Sequence, residues 1–290
     1  MRHYADVTKE SLGCDFADCE GAGAAGGLGY AFLSYLAGEL IPGVELILHA
    51  TGLEEKMKNA DVVVTGEGRL DAQTVMGKAP VGVAALAKKY DVYVITDEVY
   101  EHIVYAPHTH TYFATLPGMW ERTISCSSLS KTYSVTGWRL GYVIAPAPII
   151  ERAKKVHDFL TVGAAAPLQE AVIPGLKFGQ DYYDDLLQKY THKRDLFCKG
   201  LDDLGLVHNI PQGAYYVMLD ISAFGYDSDL QFCEDLAAKV GVGAVPGSSF
   251  FREPVNHLIR FHFAKKDDTL NEALNRLETL RERIPAKGRK

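Results

Sequence analysis

The 290-residue chain carries 30 Lys and Arg against 37 Asp and Glu, and a formal charge of −7 argues against nucleic acid as its main partner. Hydrophobic residues make up 47% of it, enough to fill the core of one large or two ordinary domains, and no apolar run is long enough to span a bilayer. Cys14, Cys19, Cys126, Cys198 and Cys233 are scattered and odd in number, and the opening MRHYADVTKES has no apolar signal-peptide core, so a reduced, cytoplasmic protein with neither disulfides nor a bound metal is expected.

From Gly21 to Gly29 a Gly-rich loop runs into AFLSYLAGEL, whose apolar spacing suits a helix. Bare backbone N–H groups at a helix start can hold an anion; alternatively the small residues only let the helix pack tightly, and no Walker lysine or hydroxyl is present. ADVVVTGEGRLD, Ala60 to Asp71, reads as a buried parallel strand by its Val run, ending in a charged loop with Glu67, Arg69 and Asp71. GKAPVGVAALAKKY, with Lys78 near its start, reads as a loop and crossover helix. Taken together, GAGAAGGLG and TGEGRLDAQTVMGKAPVGVA resemble the carboxyl-terminal part of bacterial glycerate kinases over residues 13–90, a fragment of such an enzyme.

AKKY ends a helix and DVYVITDEVY begins a strand, so a parallel sheet with right-handed crossovers can continue through that turn. The apolar run in VYVITDEVYEH, Val92 to His102, ends in Asp97, at the carboxyl edge where α/β sheets place their ligands. An acid there can keep a pyridinium nitrogen protonated, and Tyr100, three residues on, can donate to a ring oxygen. In SSLSKTYSVTGWRLGY, Ser127 to Tyr142, Ser128 lies three residues before Lys131 and Arg139 eight after it. That is the set a phosphorylated aldehyde needs: an imine-forming amine, with a hydroxyl and a guanidinium for phosphate oxygens. For Lys131 alone, an ordinary Ser/Thr-rich surface loop is the better explanation of the pattern.

Val156 to Lys177 mixes a Gly/Ala loop with a helix, and Gln180 to Gly205 is a long amphipathic helix with a Gly stop, its Asp181, Asp184 and Asp185 on a solvated face. GAYYVMLDI, Gly213 to Ile221, alternates like a strand; DLQFCEDLAAKVG is a helix ended by Gly241; VGAVPGSSFF and LIRFHFA are short strands or turns. HLIRFHFA puts Arg260 where its guanidinium can grip a carboxylate with two prongs. An amphipathic helix, DTLNEALNRLETLRERI, and a frayed basic tail close the chain. His108 and His110 read as a solvated pair without a carboxylate partner, and His102 as a structural histidine.

DEVYEH, then S-x-x-K with Arg139 in TGWRLGY, then PGSSF and IRFHFA, resemble the class I aminotransferases of the pyridoxal-phosphate fold type I group over residues 91–284. The resemblance implies an α/β fold: a mostly parallel sheet flanked by helices in three layers, plus a smaller C-terminal α+β domain. The implied division is a kinase-like segment, 1–90, a large-domain remainder with the bridging helix, 91–205, and a small domain, 206–290. It implies that Lys131 holds pyridoxal 5′-phosphate as an internal aldimine and shuttles the substrate proton. Asp97 would pair with the pyridine nitrogen and Tyr100 with the 3-oxygen; Ser128 and Arg139 would hold the phosphate with Ser130 beside them; Arg260 would bind the substrate α-carboxylate.

The implied activity is ping-pong transamination between an α-amino acid and a 2-oxo acid by a homodimer. The family's Gly-containing phosphate loop, its ring-stacking aromatic residue and its N-P-x-x-P-T-G asparagine are not found here. The kinase-like segment is therefore expected to replace that part of the sheet, with Gly21 to Gly29 as a substitute anion site. The alternatives are ATP-dependent phosphorylation of glycerate, or a folded hybrid without activity.

Overall fold

The computed structural model describes residues 2–41, 43–66 and 79–286. The charged loop of Glu67, Arg69 and Asp71, Lys78, and the last four residues of the basic tail lie outside them. The chain forms two compact units, Met1–Asp61 with Gln73–Val92, and Val62–Ala72 with Tyr93–Lys290. No helix among the described residues is long and apolar enough to cross a membrane.

The first unit carries helices α1 (Arg2–Leu12), α2 (Ala24–Leu36), α3 (Gly43–Thr51), α4 (Leu53–Met57) and α5 (Ala79–Tyr90). Helix α2 starts inside the stretch expected to be a glycine loop, because Ala24 N–H already closes onto the Gly21 carbonyl at 2.9 Å. The Tyr30 N–H reaches back to the Ala22 carbonyl at 2.8 Å, and a Cβ on Gly29 would lie 2.3 Å from the Gly21 oxygen. Close backbone approach is thus what the small residues here permit. Buried Tyr30 packs with Ala5 and Ala22 and donates to the Ala5 carbonyl at 3.3 Å. Helices α3 and α4 lie against α5, where Glu54 accepts from Lys89 at 2.6 Å and from Tyr90 at 2.8 Å.

In the second unit β1 (Val62–Gly66), β2 (Tyr93–Asp97), β3 (Thr123–Ser128) and β4 (Gly141–Ile144) form a sheet in that order. The first three are parallel and β4 is antiparallel to β3. With Val62 opposite Tyr93, a strand from the kinase-like stretch pairs in register with one from the aminotransferase-like stretch, so the sheet continues as expected. Alternation puts Val62, Val64, Tyr93, Ile95, Cys126 and Val143 on one face and Val94, Thr96 and Glu98 on the other. The second face is buried, whereas Val64 is 72% exposed on the first. The Val run had suggested a strand buried on both faces; β1 is instead an edge strand with one open face.

Helices α6 (Leu129–Thr132), α7 (Ala147–Thr161), α8 (Ala166–Leu176) and α9 (Gln180–Asp203) follow. The buried stripe of α9 is Leu186, Phe197, Cys198 and Leu201, while Asp184 and Asp185 bond only along the exposed face, to Gln180 and Lys189. Gly205, at φ 63°, stops the helix by donating to Asp202 while Leu206 donates to Leu201, the paired closure that a left-handed residue allows. A second sheet holds β5 (Tyr216–Asp220), β6 (Val245–Pro246) and β7 (Leu258–His262), antiparallel with β7 in the centre. Helices α10 (Asp229–Asp235), α11 (Asp267–Leu277) and α12 (Leu280–Arg283) complete the layer around it. Val217 and Leu219 of β5 pair with Phe261 and Ile259 of β7 and join Phe232, Leu236, Leu270 and Leu277 in one core. Each such side chain contributes about 1.5–3 kcal/mol of burial before entropy is counted.

Candidate active site

Strand β3 ends at Ser128, whose Oγ accepts from the Ser130 N–H at 3.1 Å and so caps the single turn of α6. That turn carries Lys131 into a cavity of about 330 Å³ lined also by Ser130, Thr136, Tyr215, Tyr216 and His262. The Lys131 Nζ lies 5.7 Å above the Tyr215 ring and makes no hydrogen bond or ion pair with any described residue.

Asp97 ends β2 and lines a second cavity of about 320 Å³ on the open sheet face, with Ser128, Cys126 and Val64. Its Oδ1 accepts from the Val99 N–H at 3.2 Å. The structure thus divides the predicted residues: Asp97 and Ser128 share one cavity, Ser130 and Lys131 the other. The Ser128 and Ser130 hydroxyls, 2.7 Å apart, join the two linings. Arg139 lines neither; it is exposed, at φ 57°, and its Nη1 donates to the Thr136 carbonyl at 3.1 Å.

Arg260 sits on β7 with its guanidinium between two rings, 3.6 Å from the Phe250 centroid and 4.0 Å from that of Tyr216. Its Nε is buried without a hydrogen-bond partner among the described residues. The hydroxyls of Tyr100 and Tyr216 are 3.2 Å apart. Burial first, then bonding to Tyr216 and Tyr215, pushes the Tyr100 phenol well above its ordinary range, so it stays protonated. Tyr216 therefore touches Tyr100 and Arg260 and lines the Lys131 cavity. Sequence reasoning passed over it, although alternation in GAYYVMLDI places it on one face with Met218, because only pairing with His262 and Arg260 shows what that face meets.

The reverse face of the sheet holds a polar network that was also missed. Glu98, 3% exposed, accepts from Thr96 at 2.7 Å and Ser125 at 3.0 Å and pairs with His110 Nε2 at 2.8 Å. His110 is therefore not solvated, as the sequence suggested: its carboxylate partner lies at the end of β2, twelve residues upstream. Burial raises the Glu98 pKa, but bonds from His110, Thr96 and Ser125 outweigh it and hold the carboxyl below its ordinary range. Beside it Glu101 accepts from Ser127 at 2.7 Å and from Tyr142 at 2.5 Å. His102, its pKa lowered chiefly by burial, packs on the Tyr183 ring at 4.3 Å, a structural placement.

Chemically, the donor set fits a phosphorylated aldehyde acting on a carboxylate substrate. Among the described residues an amine without a hydrogen bond lies among hydroxyls, a buried guanidinium nitrogen has no partner, and a carboxylate bonded only to the Val99 N–H stands at a strand end.

Residues 81–277 match the family model of aminotransferase class I and II, and residues 1–115 match that of the glycerate kinase family. The methionine aminotransferase of Escherichia coli (strain K12) is 39% identical over 192 residues, 66% of this chain and 50% of that protein. A probable N-succinyldiaminopimelate aminotransferase of Mycobacterium tuberculosis is 37% identical over 211 residues, 69% of this chain and 53% of that protein. The chain thus spans about half the length of these curated relatives. Among solved structures, the N-succinyldiaminopimelate aminotransferase of Mycobacterium tuberculosis aligns with a TM-score of 0.73 and 33% identity, covering 80% of this chain and 61% of that one. An Escherichia coli protein with methionine aminotransferase function aligns at 0.70 and 33%, covering 77% and 59%.

Proposed function

The chain belongs to the aminotransferase class I and II family, and from that premise we propose that it transfers the amino group of an α-amino acid to a 2-oxo acid with pyridoxal 5′-phosphate as cofactor. The observation that carries the reading is a pair of nitrogens without hydrogen-bond partners among the described residues: the Lys131 amine in a cavity that Tyr216 also lines, and the buried Nε of Arg260, whose guanidinium lies over the Tyr216 ring. A buried guanidinium nitrogen without a counter-group is costly, which supports a carboxylate ligand at Arg260, and an amine in an open cavity is accessible to a carbonyl.

When bound, pyridoxal 5′-phosphate supplies an aldehyde that condenses with amines and a ring that accepts electrons. Lys131 would hold it through Nζ and would act as the base at the substrate α-carbon, taking a proton there and returning one at the end of the half-reaction. Asp97 would present a carboxylate to the ring nitrogen, and Tyr100, kept protonated, would turn the O–H it now gives to Tyr216 toward the ring oxygen. Ser128 and Ser130, whose hydroxyls bridge the two cavities, would offer donors to the phosphate, and Arg139 would join them by leaving the Thr136 carbonyl. Arg260 grips the substrate carboxylate between Phe250 and Tyr216.

The N-terminal segment is read here as a glycerate-kinase-like piece, 1–90, joined to a large-domain remainder, 91–205, and a small domain, 206–290. The share of this chain covered by the structural comparison, 80%, exceeds the 69% covered in sequence, which supports part of that piece taking the place of aminotransferase structure. A homodimer in the cytoplasm is the assembly we favour. It is supported by α7, which buries none of its residues in the protomer and exposes Val156, Phe159 and Leu160, with Val162 just beyond.

Titrating the purified protein with pyridoxal 5′-phosphate tests the reading. A visible absorbance band should appear, disappear with Lys131→Ala, and be bleached by an L-amino acid such as methionine. Absence of the band in the unaltered protein refutes it. The match of residues 1–115 favours a second reading, phosphorylation of glycerate, for which glycerate-dependent ADP release from ATP is the discriminating assay; neither activity would mark an inactive hybrid.

A further inference from the structure

We propose that Tyr216 is a positioning residue with two duties: its ring holds the Arg260 carboxylate clamp, and its hydroxyl holds the phenol of Tyr100. The proposal rests on the transaminase reading for its second duty but not for its first.

Arg260 makes no hydrogen bond or ion pair with any described residue, yet its guanidinium has a fixed place between Phe250 at 3.6 Å and Tyr216 at 4.0 Å. Two ring faces restrain the guanidinium plane while leaving its edges free to meet a carboxylate. An arginine held this way has lost its rotamer freedom before a ligand arrives, which is how preorganisation raises affinity. The clamp is fixed from two directions. Tyr216 stands on β5 opposite His262 of β7, and Phe250 belongs to the turn Gly247–Phe250, which Asp229 ties down through the Ser248 N–H at 2.7 Å and the Ser248 hydroxyl at 2.9 Å.

The Tyr216 hydroxyl meets that of Tyr100 at 3.2 Å, and Tyr100 also lies edge-on to the Tyr215 and Tyr216 rings. In this bond the Tyr100 O–H donates and the Tyr216 oxygen accepts, so Tyr216 fixes the place of the Tyr100 phenol, and one side chain spans from the Arg260 guanidinium to that phenol.

The test uses the full chain and begins without cofactor. Calorimetric titration with glutarate, a carboxylate that cannot transaminate, should show binding that Arg260→Ala removes. Tyr216→Leu and Phe250→Leu, which each remove one face of the sandwich, should each weaken that binding on the order of tenfold. Tyr216→Phe keeps the ring and should stay within twofold. In the cofactor titration Tyr216→Phe should instead weaken pyridoxal 5′-phosphate several-fold, read from the visible band. Glutarate binding unchanged in Tyr216→Leu, or equally weak in Tyr216→Phe and Tyr216→Leu, overturns the ring's duty; cofactor affinity unchanged in Tyr216→Phe overturns the hydroxyl's. If the unaltered protein gives no visible band, the transaminase reading fails together with the hydroxyl's duty, while the clamp is still decided by the glutarate series.

Discussion

Replacing Glu98 by alanine should destabilise the second unit by about 3 kcal/mol, a value that follows from what the carboxylate holds. Glu98 is 3% exposed, and its three partners, His110, Thr96 and Ser125, are its ligands on the closed face of the sheet. Removing the buried acceptor leaves three donors on the closed face, each of which costs about 1–3 kcal/mol when left unsatisfied. Part of that is recovered here: the Thr96 and Ser125 hydroxyls already lie 3.4 Å apart and can bond to each other, a gain of about 1 kcal/mol. For a unit of roughly 200 residues, ~2–4 °C per kcal/mol puts the fall in Tm near 6–12 °C, measurable by circular dichroism. Glu98→Gln, keeping the shape and one acceptor, should cost less than half as much. The pH dependence has a definite sign. A carboxyl whose folded pKa is depressed stabilises the fold above its unfolded value, and that contribution is lost as pH falls through the folded value. The unaltered protein should therefore lose stability below the ordinary carboxylate range more steeply than Glu98→Gln does. A fall in Tm under about 2 °C for Glu98→Ala would refute the claim that this network holds the sheet's closed face.

Asp229→Ala should cost about 2 kcal/mol, since the 2%-exposed carboxylate accepts from both the Ser248 N–H and hydroxyl, and urea unfolding measures it. Because Ser248 precedes Phe250 by two residues, the same variant should weaken glutarate binding several-fold. Cysteine labelling gives an independent check on the core: burial pushes the Cys198 and Cys233 thiols up to about 11, so iodoacetamide at pH 8 should modify exposed Cys19 first and spare these two until the protein unfolds. Equal labelling of Cys19 and Cys233 in the native protein would contradict the packing of α10.

What could be read along the chain was local chemistry. Asp97 at the end of an apolar run, Ser128 just ahead of Lys131, and Arg260 on an alternating strand are each set by a few neighbouring residues, and the structure places them at strand ends, on the α6 turn and on β7. What could not be read depends on contacts across long separations. The Tyr100–Tyr216 bond joins residues 116 apart, and nothing within GAYYVMLDI distinguishes a ring that supports an arginine from one that fills a core. The sequence places no carboxylate near His110 at ligand spacing, yet Glu98 reaches it across the strand end. The Val run of β1 gave the strand correctly but not its open face, because burial depends on what packs above a strand and not on its own composition. Ala24 began its helix early for a similar reason: Gly21 supplies a carbonyl that a motif reading had assigned to a loop.

Asp97 and Glu98 show how one strand end divides its labour. Adjacent residues in extended backbone point to opposite faces. Three donors commit Glu98 to the closed face, and this leaves Asp97 on the open one, where its carboxylate lines a cavity beside Val64 and Ser128. The buried network therefore fixes the direction of the acid that the chemistry needs, although its carboxylate, Glu98, lines neither cavity. The carboxylate clamp is self-contained in the same sense, since Arg260, Phe250, Tyr216 and the Asp229 tie all lie in β5, β7, α10 and the turn between Gly247 and Phe250. Holding a cofactor ring is more demanding, because a misplacement of about 1 Å can cost on the order of a hundredfold in rate. Asp97 faces that ring from a sheet surface on which Val64 is 72% exposed. Substrate recognition and ring positioning thus depend on different parts of this chain, and the first has its supports in place, with the buried Arg260 Nε left without a hydrogen-bond partner among the described residues for a carboxylate to meet.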